Sequence, residues 1–211
     1  MSAELVLYTN PMSRGRIARW MLEEIGAPYR TVQLDYGAPM RSAQFLALNP
    51  MGKVPVLVHG DTVVTEAAAI CAWLADAFPG AGLGPDPHAR GTWLRWLFFG
   101  AGPLEAAITN RSMGWEVPAE MRARSGYGNF DTVMDTLEAA VSAGPFIAGD
   151  RFSAADVYVG SQIGWGLMFG TLPPRPAFAA YWAGLESRPA RLRAAALDDA
   201  AMERQDKGDT P

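Results

Sequence analysis

The chain has 211 residues, 49% of them apolar, and 22 Asp and Glu against 18 Lys and Arg give it a net charge of −4. That length suits one large domain or two small ones, and the composition argues against extended disorder. Scattered, outnumbered basic residues argue against a nucleic-acid partner, while a single cysteine, Cys71, excludes an internal disulfide and points to a reducing, cytoplasmic compartment.

Two histidines far apart, His59 and His88, without Cys or carboxylates at ligand spacing, predict no metal site. The chain opens directly on strand-like "ELVLY", so no export signal is expected. Its apolar runs are broken short of the roughly 20 residues a bilayer demands, so no membrane span is expected.

In chain order, residues 4–8 read as a buried strand, and Ser13 opens a helix carrying Ile17, Trp20, Met21 and Ile25 at helical spacing. Gly26 and Pro28 end that helix, and "YRTVQLDY" (29–36) alternates as a second strand. Gly37, Pro39, Pro50 and Gly52 around "FLALN" predict a loop with one or two helical turns. "VPVLV", a turn at His59, Gly60 and Asp61, and "TVVTE" predict an antiparallel hairpin. A helix follows over 66–78, stopped by Pro79 and Gly80. The order predicts an α/β domain over 1–79, a small mixed sheet with a helix on each side.

"PGAGLGPDP" marks a linker over 80–87. Beyond it, 88–113, 129–143, 153–169 and 176–197 all show helical spacing, predicting an all-α domain over 88–211 whose polar end (203–211) frays.

Three stretches of the first domain carry chemistry. "YTNPMS" gathers Tyr8, Asn10 and Ser13 where a strand meets a helix. A capping serine accounts for one of them. A hydroxyl at the positive end of a helix also suits a bound thiolate, and lowering a thiol pKa by two units takes about 2.7 kcal/mol, within reach of one charge-assisted bond plus the dipole. In "NPMGKVPVL" (49–57), Pro55 just inside a strand marks either an edge or a cis turn. A cis Val54–Pro55 bond would turn the Val54 amide and carbonyl outward to pair with an extended peptide. In "VVTEAAAI" (63–70), Thr65 can cap a helix begun by Glu66. The amides of Glu66 and Ala67 then form an anion site, and the Glu66 carboxylate can accept from an ammonium. Each stretch also has an ordinary structural reading. Together they describe one ligand with an amino-acid head, a peptide backbone and a thiol, which is glutathione.

At these residues the sequence resembles the cytosolic glutathione transferase superfamily. "MSRGRIARWMLEEIGAPY", "FLALNPMGKVPVL", "TEAAAICAWLADAFP" and "PFIAGDRFSAADVYV" fall in the family's order and spacing over nearly the whole chain. The resemblance implies a thioredoxin-like N-terminal domain, an all-α C-terminal domain and a homodimer. It makes Val54 the backbone partner of the cysteinyl part of glutathione, Pro55 the cis proline, and Glu66 with Ala67 the γ-glutamyl-binding pair. It places Lys53 and Arg41 near the glycyl carboxylate. Ala67 departs from the usual serine or threonine and lacks one hydroxyl toward the γ-glutamyl carboxylate.

For the thiol, Ser13 matches the Ser-type classes and is placed first. Tyr8 stands the same distance from Arg19 and Trp20 as in the Tyr-type classes, and Asn10 could donate its amide. Ser153 and Asp156 in "RFSAADV" have capping-box spacing and read as fold-defining, and Cys71 reads as core. The second substrate is expected between the domains, with Trp115, Met113, Trp165 and Phe169 as acceptor-site candidates. The resemblance implies an enzyme using reduced glutathione as co-substrate, with no prosthetic group, that turns the thiol on small apolar electrophiles. A glutathione-dependent peroxidase or disulfide reductase, and a non-catalytic ligand- or protein-binding module, are the alternatives.

Overall fold

The computed structural model describes residues 4–206. Its contacts divide the chain into two units, one running to Gly82 and resuming at Arg188, the other spanning residues 83–187. The first unit begins with β1 (Leu5–Thr9), α1 (Gly15–Ile25), β2 (Arg30–Gln33), α2 (Ala43–Leu48), β3 (Val56–His59), β4 (Thr62–Thr65) and α3 (Ala67–Ala77). Its sheet has the order β2-β1-β3-β4. β1 and β2 are parallel, and β3 runs antiparallel to both β1 and β4. This is the mixed thioredoxin-like sheet expected from the sequence.

Period-two alternation gives the sheet two apolar faces. Tyr8, Leu34, Leu48 and Val54 pack around buried Met40, Phe45 and Val56, so α2 and the turn before it cover one face. Leu5 and Leu7 point to the other, where α1 and α3 pack together. Gly26 ends α1 in a left-handed conformation, its N–H bonded to the Leu22 carbonyl. β2 stops at Gln33, shorter than the predicted 29–36, because its partner β1 ends at Thr9, whose carbonyl takes the last ladder bond from the Leu34 amide.

The helical unit contains α4 (Arg90–Phe99), α5 (Glu105–Ser112), α6 (Phe130–Ser142), α7 (Ala154–Met168) and α8 (Pro176–Glu186). The helix predicted over 88–113 is interrupted by a π-helical turn at Gly100–Leu104, where Pro103 has no N–H to give. α7 is buried along nearly its whole length. Close packing depends on its glycines: a Cβ on Gly160 would lie 2.6 Å from Leu185 Cδ1, and one on Gly164 2.6 Å from the Trp182 ring.

Ser153 and Asp156 form the expected capping box of α7. Asp156 does more than cap, accepting from the Ile147 amide at 2.8 Å and from the Tyr181 hydroxyl at 2.6 Å. One carboxylate thus ties the preceding loop and α8 to the start of α7.

The helix predicted over 176–197 is two helices. The backbone before Pro189 is sterically pushed out of the helical region, and α9 (Pro189–Asp206) starts afresh with that proline. α9 packs on α1 in the first unit. It also runs through residues 203–206, where fraying was expected, and the rest of that predicted tail lies outside the described residues. No described helix is long and apolar enough to cross a membrane.

Candidate active site

The strand register gathers the three chemical stretches of the first unit. Val56 pairs with Tyr8 on one side and with Thr65 on the other. The end of β1, the entry to β3 and the exit of β4 therefore share one edge of the sheet, and that edge carries Tyr8 to Ser13, Val54 and Pro55, and Glu66 with Ala67.

At the first corner, Ser13 is half-buried and sits just ahead of α1. Its Oγ accepts from the Gly15 amide at 2.9 Å and donates to the Asn10 carbonyl at 2.7 Å. Asn10 is only 2% exposed. Its Nδ2 donates to the Leu34 carbonyl and its Oδ1 accepts from the Met12 amide, both at 2.9 Å. Through these two bonds the Asn10 side chain pins the corner to the end of β2. Tyr8 packs its ring against Phe45, centroids 6.0 Å apart, and its hydroxyl has no hydrogen-bond partner among the described residues.

The second stretch has a cis Val54–Pro55 bond. Before it, Asn49 Nδ2 donates to the Lys53 carbonyl at 2.8 Å and bridges the loop. Gly52 has φ +62°, and a Cβ there would lie 2.8 Å from the Met40 carbonyl oxygen and 3.0 Å from Arg41 Nη1. The exposed Arg41 guanidinium therefore lies over Gly52, adjoining exposed Lys53.

At the third, α3 starts at Ala67, not Glu66, and Thr65 is the last residue of β4 with no capping role. Glu66 itself is the exception in the backbone. Its φ of 66° and ψ of 120° make it the one non-glycine residue with positive φ among those described. For a side chain with a Cβ such a conformation costs about 1–3 kcal/mol and clusters at ligand-binding positions.

Three supports of this edge gave no signal in the sequence. A Cβ on Gly15 would collide with Thr9 Oγ1, so only glycine lets α1 start so close to β1. Tyr36 donates its hydroxyl to the Met12 carbonyl at 3.1 Å. Arg16 Nε donates to the Pro11 carbonyl at 2.5 Å. In "SRGR" that arginine reads as an ordinary solvated helix residue.

In the helical unit, Trp115 is 61% exposed. It lines a pocket of about 110 Å³ with Arg111, Tyr127 and Phe130. Arg111 lies over the Phe130 ring at 4.2 Å, and Asn110 donates to the Tyr127 hydroxyl at 2.9 Å. The other acceptor candidates, Met113, Trp165 and Phe169, are not among its walls. Met113 and Phe169 are exposed and Trp165 is half-buried. Cys71 is fully buried in α3, and burial pushes its thiol well above the ordinary range, so it has no place in this chemistry. His59 is a packing residue, accepting from Trp73 Nε1 at 3.3 Å and stacking on Phe78.

A thioredoxin-like sheet whose open edge carries a cis proline and a strained helix start, followed by a separate helical unit, defines a two-part architecture. Residues 3–76 match the glutathione S-transferase N-terminal domain, and residues 118–181 match the glutathione S-transferase C-terminal domain. Glutathione S-transferase F10 of Arabidopsis thaliana is 30% identical over 206 residues, covering 88% of this chain and 94% of its own. The solved structure of a glutathione transferase from Methylococcus capsulatus superposes with a TM-score of 0.77 at 28% identity, over 93% of this chain and 99% of that one. A glutathione transferase homologue from Sulfitobacter, solved with bound glutathione, gives 0.73 at 27% identity over 95% and 99%. The chain belongs to the glutathione S-transferase family, a family of enzymes.

Proposed function

We propose that the chain binds reduced glutathione along the edge formed by β1, β3 and α3, and that Ser13 stabilises its thiolate for attack on a small apolar electrophile. The observation that carries this reading is Glu66. A strained backbone at the start of α3 supports a binding role, since it aims the first amides of the helix at an anion while the carboxylate stays exposed for an ammonium. Glu66 and Ala67 take the γ-glutamyl head, the Val54 backbone pairs with the cysteinyl residue, and Arg41 and Lys53 attract the glycyl carboxylate.

Ser13 suits the thiolate for a specific reason. The Asn10 carbonyl accepts both the Ser13 amide, at 3.1 Å, and the Ser13 hydroxyl. When the hydroxyl rotates toward a thiolate, that carbonyl keeps one partner, and a charge-assisted bond replaces a neutral one. The Gly15 amide stays on the oxygen throughout and makes the hydroxyl a better donor. The thiolate sulfur then forms a bond to carbon, and either a leaving group departs or the adjacent carbon takes a proton. No covalent intermediate with the protein forms. Tyr8 is the second candidate for the thiol, because its hydroxyl has no partner among the described residues to give up.

The test is the pH dependence of glutathione thiolate absorbance with excess protein, for wild type, Ser13→Ala and Tyr8→Phe. A bound thiol titrating well below its free value, with only Ser13→Ala raising it, supports the assignment. The reverse pattern gives the role to Tyr8, and a wild type that leaves the thiol unshifted removes the thiol-activation reading.

A further inference from the structure

We infer that α9, the last described helix, positions the thiol corner through Arg16, and that the Arg16–Asp199 pair is part of the catalytic apparatus as a positioning element. The inference rests on the glutathione reading above. It comes from how one guanidinium is shared. Arg16 Nε donates to the Pro11 carbonyl at 2.5 Å, and Nη2 donates to Asp199 Oδ1 at 2.7 Å and lies 3.0 Å from Met202 Sδ. Pro11 stands between Asn10, whose carbonyl holds the Ser13 hydroxyl, and Ser13 itself. A side chain fixed to α9 therefore fixes the middle of the loop that presents the hydroxyl.

α9 reaches the same loop by a second route. Gln205 Nε2 donates to Asp35 Oδ1 at 2.5 Å. Asp35 follows Leu34, whose carbonyl accepts the Asn10 amide. The loop after β2 and the corner after β1 are thus both tied to α9, and Tyr36 ties them to each other through the Met12 carbonyl.

The pair is not needed to hold α9 in place. α9 and the residue before it are fastened to α1 further along by the buried Arg19–Asp198 pair, by Arg188 bonded twice to Glu24 and by Arg193 on Glu23. The Asp199 side chain is 62% exposed, and a pair with so exposed a partner adds little to stability. What Arg16 adds is geometry. Its fork satisfies a carbonyl and a carboxylate at once, which a lysine ammonium on a flexible stem does not reproduce.

The experiment compares Arg16→Met, Arg16→Lys and Asp199→Ala with wild type in thermal melting, in bound-glutathione thiol titration and in steady-state kinetics with an activated aryl halide. The expected result is a near wild-type melting temperature for Asp199→Ala and a bound thiol pKa raised by about half a unit to one unit, which is a 3- to 10-fold loss of thiolate at a fixed pH below it. kcat falls in step while KM for glutathione moves less, and Arg16→Lys restores only part of the loss. Variants that titrate the thiol like wild type overturn the inference, as does an Asp199→Ala that melts early with its thiol unshifted. If Arg16→Met fails to fold, Asp199→Ala decides alone. A wild type that binds no glutathione overturns the glutathione reading and this inference with it, whereas a shifted thiol in wild type and variants alike overturns this inference only.

Discussion

Arg19 Nε donates to Asp198 Oδ1 at 2.8 Å, joining α1 to α9 with side chains only 6% and 1% exposed. The second carboxylate oxygen, Oδ2, is buried without a partner. Burial pushes the Asp198 carboxyl above its ordinary value even though Arg19 pulls it down, so the attraction does not fully offset desolvation. Removing one partner alone strands a buried charge, and Arg19→Met or Asp198→Leu should each cost about 3–5 kcal/mol. The double variant should recover most of that loss. Urea unfolding of the four proteins in a double-mutant cycle measures the difference; equal, additive losses would contradict it.

Tyr29 borders this pair. It donates to Glu23 Oε1 at 2.8 Å and accepts from Arg19 Nη1 at 3.2 Å. Burial pushes its phenol up to about 12, against the pull of Arg19. Because the folded value is raised, its stability contribution is complete below the unfolded pKa of about 10 and is lost as pH rises from there through about 12. Spectrophotometric titration of wild type minus Tyr29→Phe should show one phenol ionising near the upper end of that window. One ionising near 10 would be inconsistent with the structure.

Gly15 marks the closest approach of helix to strand. Besides the collision with Thr9 Oγ1, a Cβ there would sit 3.0 Å from Thr9 Cβ. Gly15→Ala should cost about 1–3 kcal/mol through overpacking. Thr9→Ala should relieve part of it, since Thr9 Oγ1 has no hydrogen-bond partner to lose. Melting temperatures of the two single variants and the double variant report the coupling.

Ala67 is buried at the start of α3 and lacks the hydroxyl that the family resemblance leads one to expect. Ala67→Ser should tighten glutathione binding about 2- to 10-fold, the value of one net hydrogen bond of about 0.5–1.5 kcal/mol. Glu66→Gly should lose affinity while keeping stability, because glycine adopts a φ of 66° without strain. Calorimetric titration with glutathione checks both. Unchanged affinity in both variants would remove the γ-glutamyl assignment.

Cys71 is fully buried and burial opposes its thiolate. It should react with a disulfide reagent at mildly alkaline pH only as fast as the first unit opens, and immediately in denaturant. Fast labelling of the native protein would show that α3 opens locally.

Much of this was legible in the sequence because it rests on local signals. Period-two runs and the His59–Gly60–Asp61 turn define the hairpin, and Ser153 with Asp156 defines the start of α7. What escaped depends on contacts distant in the chain. No propensity separates Arg16 from its solvated neighbours, because its meaning lies in Asp199, 183 positions away. Asn10 reads as a possible donor in the sequence, and only the fold brings its amide to the Leu34 carbonyl, 24 positions away. Residues 176–197 keep helical spacing across Arg188 and Pro189, so their division depended on weighing the proline above the period.

α9 closes the first unit with the last stretch of described chain, which makes residues 83–187 topologically an insertion into it. Synthesis proceeds from the N-terminus, and a domain completes its fold only when all its segments have emerged. The helical unit therefore has its whole chain outside the ribosome while the α/β unit still lacks its final helix. Here the domain that begins first is the one that must finish last, and a chain cut short within α9 would leave the α/β unit incomplete rather than the helical one.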